Sequence, residues 1–310
     1  MANNIINKAN KYISNQEYRL RVNSKLGFYN NMNDKKFIEK MFKVTMKYPL
    51  DLENPKTFNE KLQRLKLYNR NPLYTKLVDK YKVRDYIAEK IGNEYLIPLL
   101  GVWDNPDNID FDSLPNKFVL KCNHNSGLGM CICKDKSKLD VKEVKKELKK
   151  GLNQNYYLNG REWPYKNVPR KIIAEKYMVN DSNSNEFTDY KFFCFNGYVD
   201  CVMVCLDRNS GDPKFYFFDK EWNLKRLNKR GKEAPKDFTI KKPECIDEMF
   251  DIASKLSEGF PFVRIDLYQS YGKIYFGEMT LYPDSGFDSN ILKESDVYFG
   301  NLIDLSLIKK

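Results

Sequence analysis

The stretch FPFVRIDLYQSYGKIYFGEMTLYP, residues Phe260–Pro283, decides more of the reading than any other. Two runs rich in β-branched and aromatic residues flank Ser270–Gly272, the pattern of two strands joined by a turn. On the first run Val263, Ile265 and Leu267 alternate with Arg264 and Asp266, so the charged pair shares one face. On the return run Glu278 and Thr280 share a face. A loop with an odd number of residues would bring Asp266 and Glu278 to the same side of the sheet. Two carboxylates, a guanidinium and a hydroxyl then cover one patch. Neighbouring carboxylates repel unless a cation lies between them, and their hard oxygens suit Mg²⁺. Mg²⁺ usually carries phosphates, which Arg264 could also clamp. A surface ladder of salt bridges fits the same residues, and the hairpin alone does not choose.

Working outward, TDYKFFCF repeats the arrangement: Asp189 and Lys191 share a face, with Tyr190 and Phe192 opposite. Glu175 is another charge at a strand end, in KIIAEKYM. Together these describe a polar cleft between two sheets. Farther back, FVLKCNHNSGLGMCIC (Phe118–Cys133) sets Lys121 inside an apolar strand-like run before a small-residue loop. Gly127 and Gly129 let backbone N–H groups approach a phosphate closely. The segment is neither a Walker A loop, since GxxxxGK[ST] is missing, nor a dinucleotide fingerprint, since no third glycine and helix follow. A plain hairpin turn is the alternative reading. His124 is a candidate base or a structural loop residue.

The 310 residues suffice for two or three packed lobes. Lys and Arg number 53 against 42 Asp and Glu, a formal charge of +11 that attracts polyanions or acidic metabolites. No segment approaches the apolar length of a spanning helix, and MANNIINKANKYIS lacks the apolar block of a secretory signal. Seven irregular cysteines suit a reducing cytoplasm, with Cys131, Cys133, Cys201 and Cys205 as buried free thiols rather than metal ligands.

Three regions are expected. Residues 1–75 are basic and helical, with Phe37, Met41 and Val44, then Phe58, Leu62 and Leu65, at helical spacing. This region either packs on the rest of the chain or lies on an anionic membrane surface. Residues 76–175 hold the lysine strand and loop, and residues 176–310 the strands that end in the hairpin. A helix is expected from Tyr74 to Ile91, and another after Lys138, with Leu139, Val141, Val144 and Leu148 inward and Gly151 as its stop. Asn196-Gly197 predicts a hairpin turn, and Cys245–Ser257 a helix. The class is α+β, with a helical front and an antiparallel back half.

This order of parts resembles the ATP-grasp fold, in which two α+β lobes close on a nucleotide cleft. More narrowly, it is similar to the TupA-like ATP-grasp family, associated with teichuronopeptide and other cell-envelope polysaccharides. The matching segments are NPKTFNEKLQRLKLYNRNPLYTKLVDKYKVRDYI, YLIPLLGVWD, FDSLPNKFVLKCNHNSGLG, IIAEKYM, DYKFFCFNGYV and FVRIDLYQSYGKIYFGEMTLYPDSGF, within residues 54–288. The resemblance implies ATP and Mg²⁺ as cofactors. Lys121 would touch phosphates under a lid of Ser126, Gly127 and Gly129. Glu175 and Tyr177 would line the adenine pocket, and Asp189 and Lys191 would meet ribose and terminal phosphate. Arg264 would steady the transferred group, while Asp266, Glu278 and Thr280 would hold the metal. Lys80 and Arg84 would form the substrate-side wall, joined by His124. Asn125 stands where glycine is expected, Thr280 in place of an asparagine ligand, and Leu281 in place of phenylalanine.

The implied reaction is a carboxylate–amine ligation through an acyl phosphate, joining an amine to an acidic sugar of a surface polysaccharide or its precursor. No Ser/His/Asp arrangement is present, and none is needed for that chemistry. Two rivals remain: a nucleotide-sugar glycosyltransferase, suggested by Asp110-Phe111-Asp112, and a sugar kinase using the same cleft. A non-catalytic basic module with stacking Tyr and Phe is a third reading, but no nucleic-acid motif accompanies it. A cytoplasmic protein, peripheral at most to the membrane, is expected.

Overall fold

The computed structural model describes residues 2–178, 188–207 and 211–308, with side chains from residue 7 onward. The chain forms two compact units, and the elements are numbered along it. The first unit comprises residues 1–70, 157–163 and 282–310. It holds α1 (Ala2–Ser14), α2 (Gln16–Lys25), α3 (Asp34–Met46), α4 (Phe58–Tyr68), the short α8 (Tyr157–Gly160) and α11 (Lys293–Leu302). Phe37, Ile38, Met41, Phe42 and Val44 of α3 form its core with Leu20 and Phe287. The start of α4 is set by a capping box in which Thr57 and Glu60 satisfy each other's backbone N–H groups. Asn59 then donates its backbone N–H and its amide to the Asp296 carboxylate of α11, at 2.9 and 3.0 Å.

The second unit, residues 71–156 and 164–281, carries two antiparallel sheets. The four-stranded sheet runs β1 (Leu99–Trp103), β4 (Ile172–Lys176), β2 (Phe118–Cys122), β3 (Met130–Cys133) in spatial order. Helix α7 (Val141–Asn153) covers one face, where Leu148 joins Phe118, Leu120, Ile172 and Ala174 in a closed core. The six-stranded sheet runs β10 (Lys273–Thr280), β9 (Val263–Ser270), β5 (Asp189–Phe195), β6 (Tyr198–Leu206), β7 (Lys214–Phe218), β8 (Leu224–Lys225). Helix α10 (Ile246–Ser257) packs against β5, β6 and β9, and a short α9 (Lys229–Glu233) lies against β7. The α+β class and the helical front are as expected. We propose that the expected boundary near residue 175 separates two lobes, since each sheet lies on its own side of it.

Three local expectations change. The single helix over Tyr74–Ile91 is two, α5 (Leu73–Val78) and α6 (Val83–Lys90). Asp79 takes an extended conformation and accepts the N–H groups of Tyr81 and Lys82, so its side chain competes successfully with the helix. Helix α7 does not stop at Gly151 but continues to Asn153. Gly151 is required instead by close packing, because a Cβ there would lie 2.6 Å from the Gly129 Cα and 2.7 Å from the Cys122 Sγ. The last hairpin turns through two residues rather than an odd loop: Ser270 pairs with Lys273 across Tyr271 and Gly272, both at positive φ. The odd residue is supplied later, by a bulge at Gly277.

All seven cysteines stay outside any disulfide. Among the described residues, no helix is long and apolar enough to cross a membrane.

Candidate active site

Asp266 is the centre of the six-stranded sheet's polar face. It pairs in register with Lys191 of β5 on one side and Glu278 of β10 on the other. Its carboxylate is almost wholly buried and takes a two-pronged ion pair from Arg264, Nε to Oδ1 at 2.6 Å and NH2 to Oδ2 at 2.7 Å. Lys191 Nζ adds a bond to Oδ2 at 2.5 Å and lies 3.3 Å from the buried Asp189 carboxylate. Burial pushes the Asp266 carboxyl upward, and Arg264 and Lys191 oppose that. The same Arg264 NH2 donates to the Thr280 hydroxyl at 3.1 Å and to Glu278 Oε1 at 3.3 Å. The bulge at Gly277 makes this cluster possible, by returning Glu278 and Thr280 to the face of Asp266 and Arg264.

On the four-stranded sheet, β2 sends Phe118, Leu120 and Cys122 inward toward α7 and leaves Val119 and Lys121 on the other face. Lys121 Nζ lies 2.6 Å from Glu175 Oε2, and Arg84 of α6 approaches Glu175 Oε1 at 3.7 Å. Tyr177 follows β4 directly and is half-buried. Cross-strand partners fill out the face: Met130 stands opposite Lys121, and Ile132 opposite Val119. Both side chains are about half exposed, at 48% and 52%. An apolar shelf beside a lysine suits a flat heteroaromatic ring next to its phosphates. Sequence reasoning missed these two, because MCIC is apolar at every position.

The loop after β2 is fixed over its first half. Asn123, His124 and Asn125 are all buried. Asn123 bonds to Asp79, Pro169 and Lys171, and the Asn125 amide donates to the Gly151 carbonyl at 3.2 Å. His124 Nε2 lies 3.2 Å from the Gln154 carbonyl, and burial lowers the ring's affinity for a proton. His124 is thus a buried member of the loop's fixed half. Only Ser126, Gly127 and Leu128 reach solvent, with Gly127 and Gly129 at positive φ. Asn125 stands in the fixed half, where its side chain does work a glycine could not.

Lys80 ties the two sheets' charges together. Its Nζ donates to the Asn125 carbonyl at 2.7 Å. Burial lowers its pKa; among its charged neighbours Glu278 counts most, followed by Lys121, Glu175 and Asp79. Glu278 in turn would be raised by burial, but Lys80, Arg264, Lys191 and Lys121 outweigh that and hold its carboxyl at about 2. The carboxylate on the last hairpin therefore lies within electrostatic reach of Lys80 and of Lys121 on the early strand.

Asp266 and Glu278 could hold Mg²⁺ if Arg264 and Lys191, which bond both Asp266 oxygens, give way. Asp266 and Glu278 supply hard oxygens on one face, Glu278 stays ionised, and one or two carboxylates with phosphates is this ion's common shell. Among the described residues, no group of three or more His, Cys, Asp and Glu could hold a metal ion. Asp110 and Asp112 form a turn closed on itself, with Asp110 Oδ1 accepting the Asp112 N–H at 3.0 Å. A surface hollow of about 450 Å³ lies elsewhere, lined by Asp107 and the lysines of α7, the helix on the far face from Lys121.

A family model described as TupA-like ATPgrasp matches residues 60–304. Among solved structures, D-alanine–D-alanine ligase from Bacillus anthracis complexed with ATP is 14% identical, with 94% of this chain and 92% of that chain covered and a TM-score of 0.45. D-cycloserine synthetase DcsG is 13% identical, with 81% and 78% covered and a TM-score of 0.43. The ATP-grasp ligase PsnB complexed with a phosphomimetic variant of its minimal precursor, Mg and ADP is 10% identical, with 81% and 67% covered and a TM-score of 0.39. No curated protein matches the chain.

Proposed function

The chain belongs to the TupA-like ATP-grasp family, and from that premise we propose that it is an ATP-dependent carboxylate–amine ligase. Its carboxylate is an acidic sugar of a cell-surface polysaccharide or its precursor, and its second substrate an amine. The observation that supports this reading most is that Glu278 of the last hairpin feels the charges of Lys80 and Lys121, cations supplied from the other half of the second unit.

The adenine ring rests on Met130 and Ile132, beside Glu175 and Tyr177. Lys121, Lys80 and the exposed Ser126–Leu128 tip meet the phosphates. Asp189 lies toward the ribose, and Arg84 with His124's loop borders the second substrate. A substrate carboxylate oxygen attacks the γ-phosphorus, the bond to the β-phosphate oxygen breaks, and ADP leaves. The amine then attacks the acyl carbon and expels phosphate, giving the amide and one proton. Lys191 and Arg264 neutralise charge on the moving phosphoryl group, so positioning and electrostatics replace a protein nucleophile. Asp266 and Glu278, with the Thr280 hydroxyl, would hold Mg²⁺, which supplies charge neutralisation on the β- and γ-phosphates.

The test mixes purified protein with ATP, Mg²⁺, a panel of uronic acids, and hydroxylamine in place of the amine. ADP release with formation of a hydroxamate supports acyl phosphate chemistry. ADP release with a phosphorylated sugar hydroxyl and no hydroxamate converts the reading to a kinase. Protection against unfolding by sugar diphosphates but not by ATP removes both.

A further inference from the structure

We propose that the turn after α2 is a docking tip for an anionic lipid bilayer surface. Residues 26–32 close against the core of the first unit by placing Tyr29 and Met32 inward, next to Phe37 and Met41. Leu26 and Phe28, on either side of Gly27, remain outside at 68% and 73% exposure. The turn is rigidly built. Leu26, Gly27 and Phe28 donate their N–H groups to Val22, Ser24 and Asn23, and Asn30 and Met32 donate to Gly27 and Tyr29. Gly27 sits at φ 84, and a Cβ there would lie 3.0 Å from the Asn30 amide nitrogen. Two large apolar side chains are thus held out on a fixed support although a core lies beside them.

The surrounding charge selects the partner. The first fifty residues contain ten Lys and Arg against three Asp and Glu, so most of the chain's net charge of +11 resides there. Lys25 precedes the tip directly, and Lys40 lies 5.4 Å from the ring centroid of Tyr29, the residue after Phe28. A soluble polyanion would use the cations and leave Leu26 and Phe28 in water. An anionic bilayer takes both, with apolar tips at the acyl boundary and cations at the headgroups. The inference is independent of the ligase reading, because neither ATP nor any residue of the second unit enters it.

The test is co-sedimentation of the full chain, without nucleotide, with vesicles of phosphatidylcholine alone and of phosphatidylcholine plus phosphatidylglycerol. Binding is expected only to the anionic vesicles and weakens as salt is raised. The double variant Leu26→Ser/Phe28→Ser is expected to bind at least about tenfold more weakly, given the share of such anchoring that buried apolar area carries. Lys25→Glu/Lys40→Glu should also bind more weakly, and both variants should keep wild-type thermal unfolding and ATP turnover on soluble substrates. Equal binding by wild type and the serine variant, no binding to anionic vesicles, or self-association lost in place of vesicle binding would each overturn the proposal.

Discussion

Glu278 stands directly opposite Asp266 across the last hairpin, one residue later than an unbroken ladder would place it. Pairing runs evenly from Ser270 and Lys273 to Leu267 and Phe276, then skips Gly277. Without the skip, Glu278 would face Ile265 on the apolar side, because a one-residue slip reverses every side chain. A Cβ at residue 277 would lie 2.6 Å from the Tyr268 ring and 3.0 Å from the Asp266 carbonyl. Gly277→Ala is therefore expected to lose about 1–3 kcal/mol in urea unfolding through overpacking. ADP release should fall by up to about a hundredfold if the carboxylates move apart by an ångström. A variant matching wild type in both measurements shows that the ladder does not need the skip.

Lys80 makes a second prediction, about acid. Glu278 is held at about 2, below the usual carboxylate range, with Lys80 the foremost of the cations that hold it there. Its contribution to stability is present above the unfolded value, about 4.3, and is lost as pH falls through about 2. Lys80→Met removes the leading cation, so the Glu278 carboxyl rises toward its ordinary range. The acid limb of kcat/KM should shift to higher pH in this variant, while Lys80→Arg keeps the limb nearer its wild-type position. An acid limb identical in Lys80→Met and wild type would separate Lys80 from Glu278.

The strands and their faces were legible because alternation is local: Val263, Ile265 and Leu267 are fully buried, as their spacing requires. Asn196 and Gly197 take the positive φ values that their dipeptide predicts. The bulge was signalled by a glycine inside a strand, yet its place in the ladder depends on the Tyr268 ring, a neighbour across the sheet. Asp79 was unreadable for a different reason, since its side chain replaces helical bonds with a turn that hydrophobic spacing does not record. The exposure of Met130 and Ile132 was hidden too. It follows from α7 covering only the other face of their sheet, a choice made in three dimensions.

Those two residues carry the third prediction. If the adenine ring rests on them, trimming the shelf weakens binding of ATP without touching the groups that move charge. Ile132→Ser and Met130→Ser are expected to raise the KM for ATP by roughly tenfold, the scale of one or two methylenes in an apolar pocket. kcat should change little, as for a contact equal in ground and transition states. Their half-exposed positions predict near-wild-type unfolding. A fall in kcat with unchanged KM would place the ring elsewhere.

Lys66 supports a fourth prediction, in the neutral to alkaline range. It is fully buried on α4, donates to the Ser285 carbonyl at 2.7 Å and lies 4.5 Å from the Phe287 ring centroid. Burial lowers its pKa to about 7, against the pull of Glu162 and Asp34. The unfolded chain then binds more protons than the folded one between about 7 and the ordinary lysine value, so stability rises with pH across that window. Below it, both states are charged and the cost of burying an ammonium is fully present. Lys66→Met leaves the Ser285 carbonyl satisfied, because Gln63 Nε2 also donates to it, at 3.1 Å. The variant should therefore be more stable than wild type at pH 6, by an amount that shrinks by pH 9, read from urea midpoints. A methionine variant weaker than wild type by the same margin at both pH values would mean that the ammonium ties down Asp284–Gly286. Asp284, Ser285 and Gly286 all sit at positive φ, and that tie would then outweigh the burial of charge.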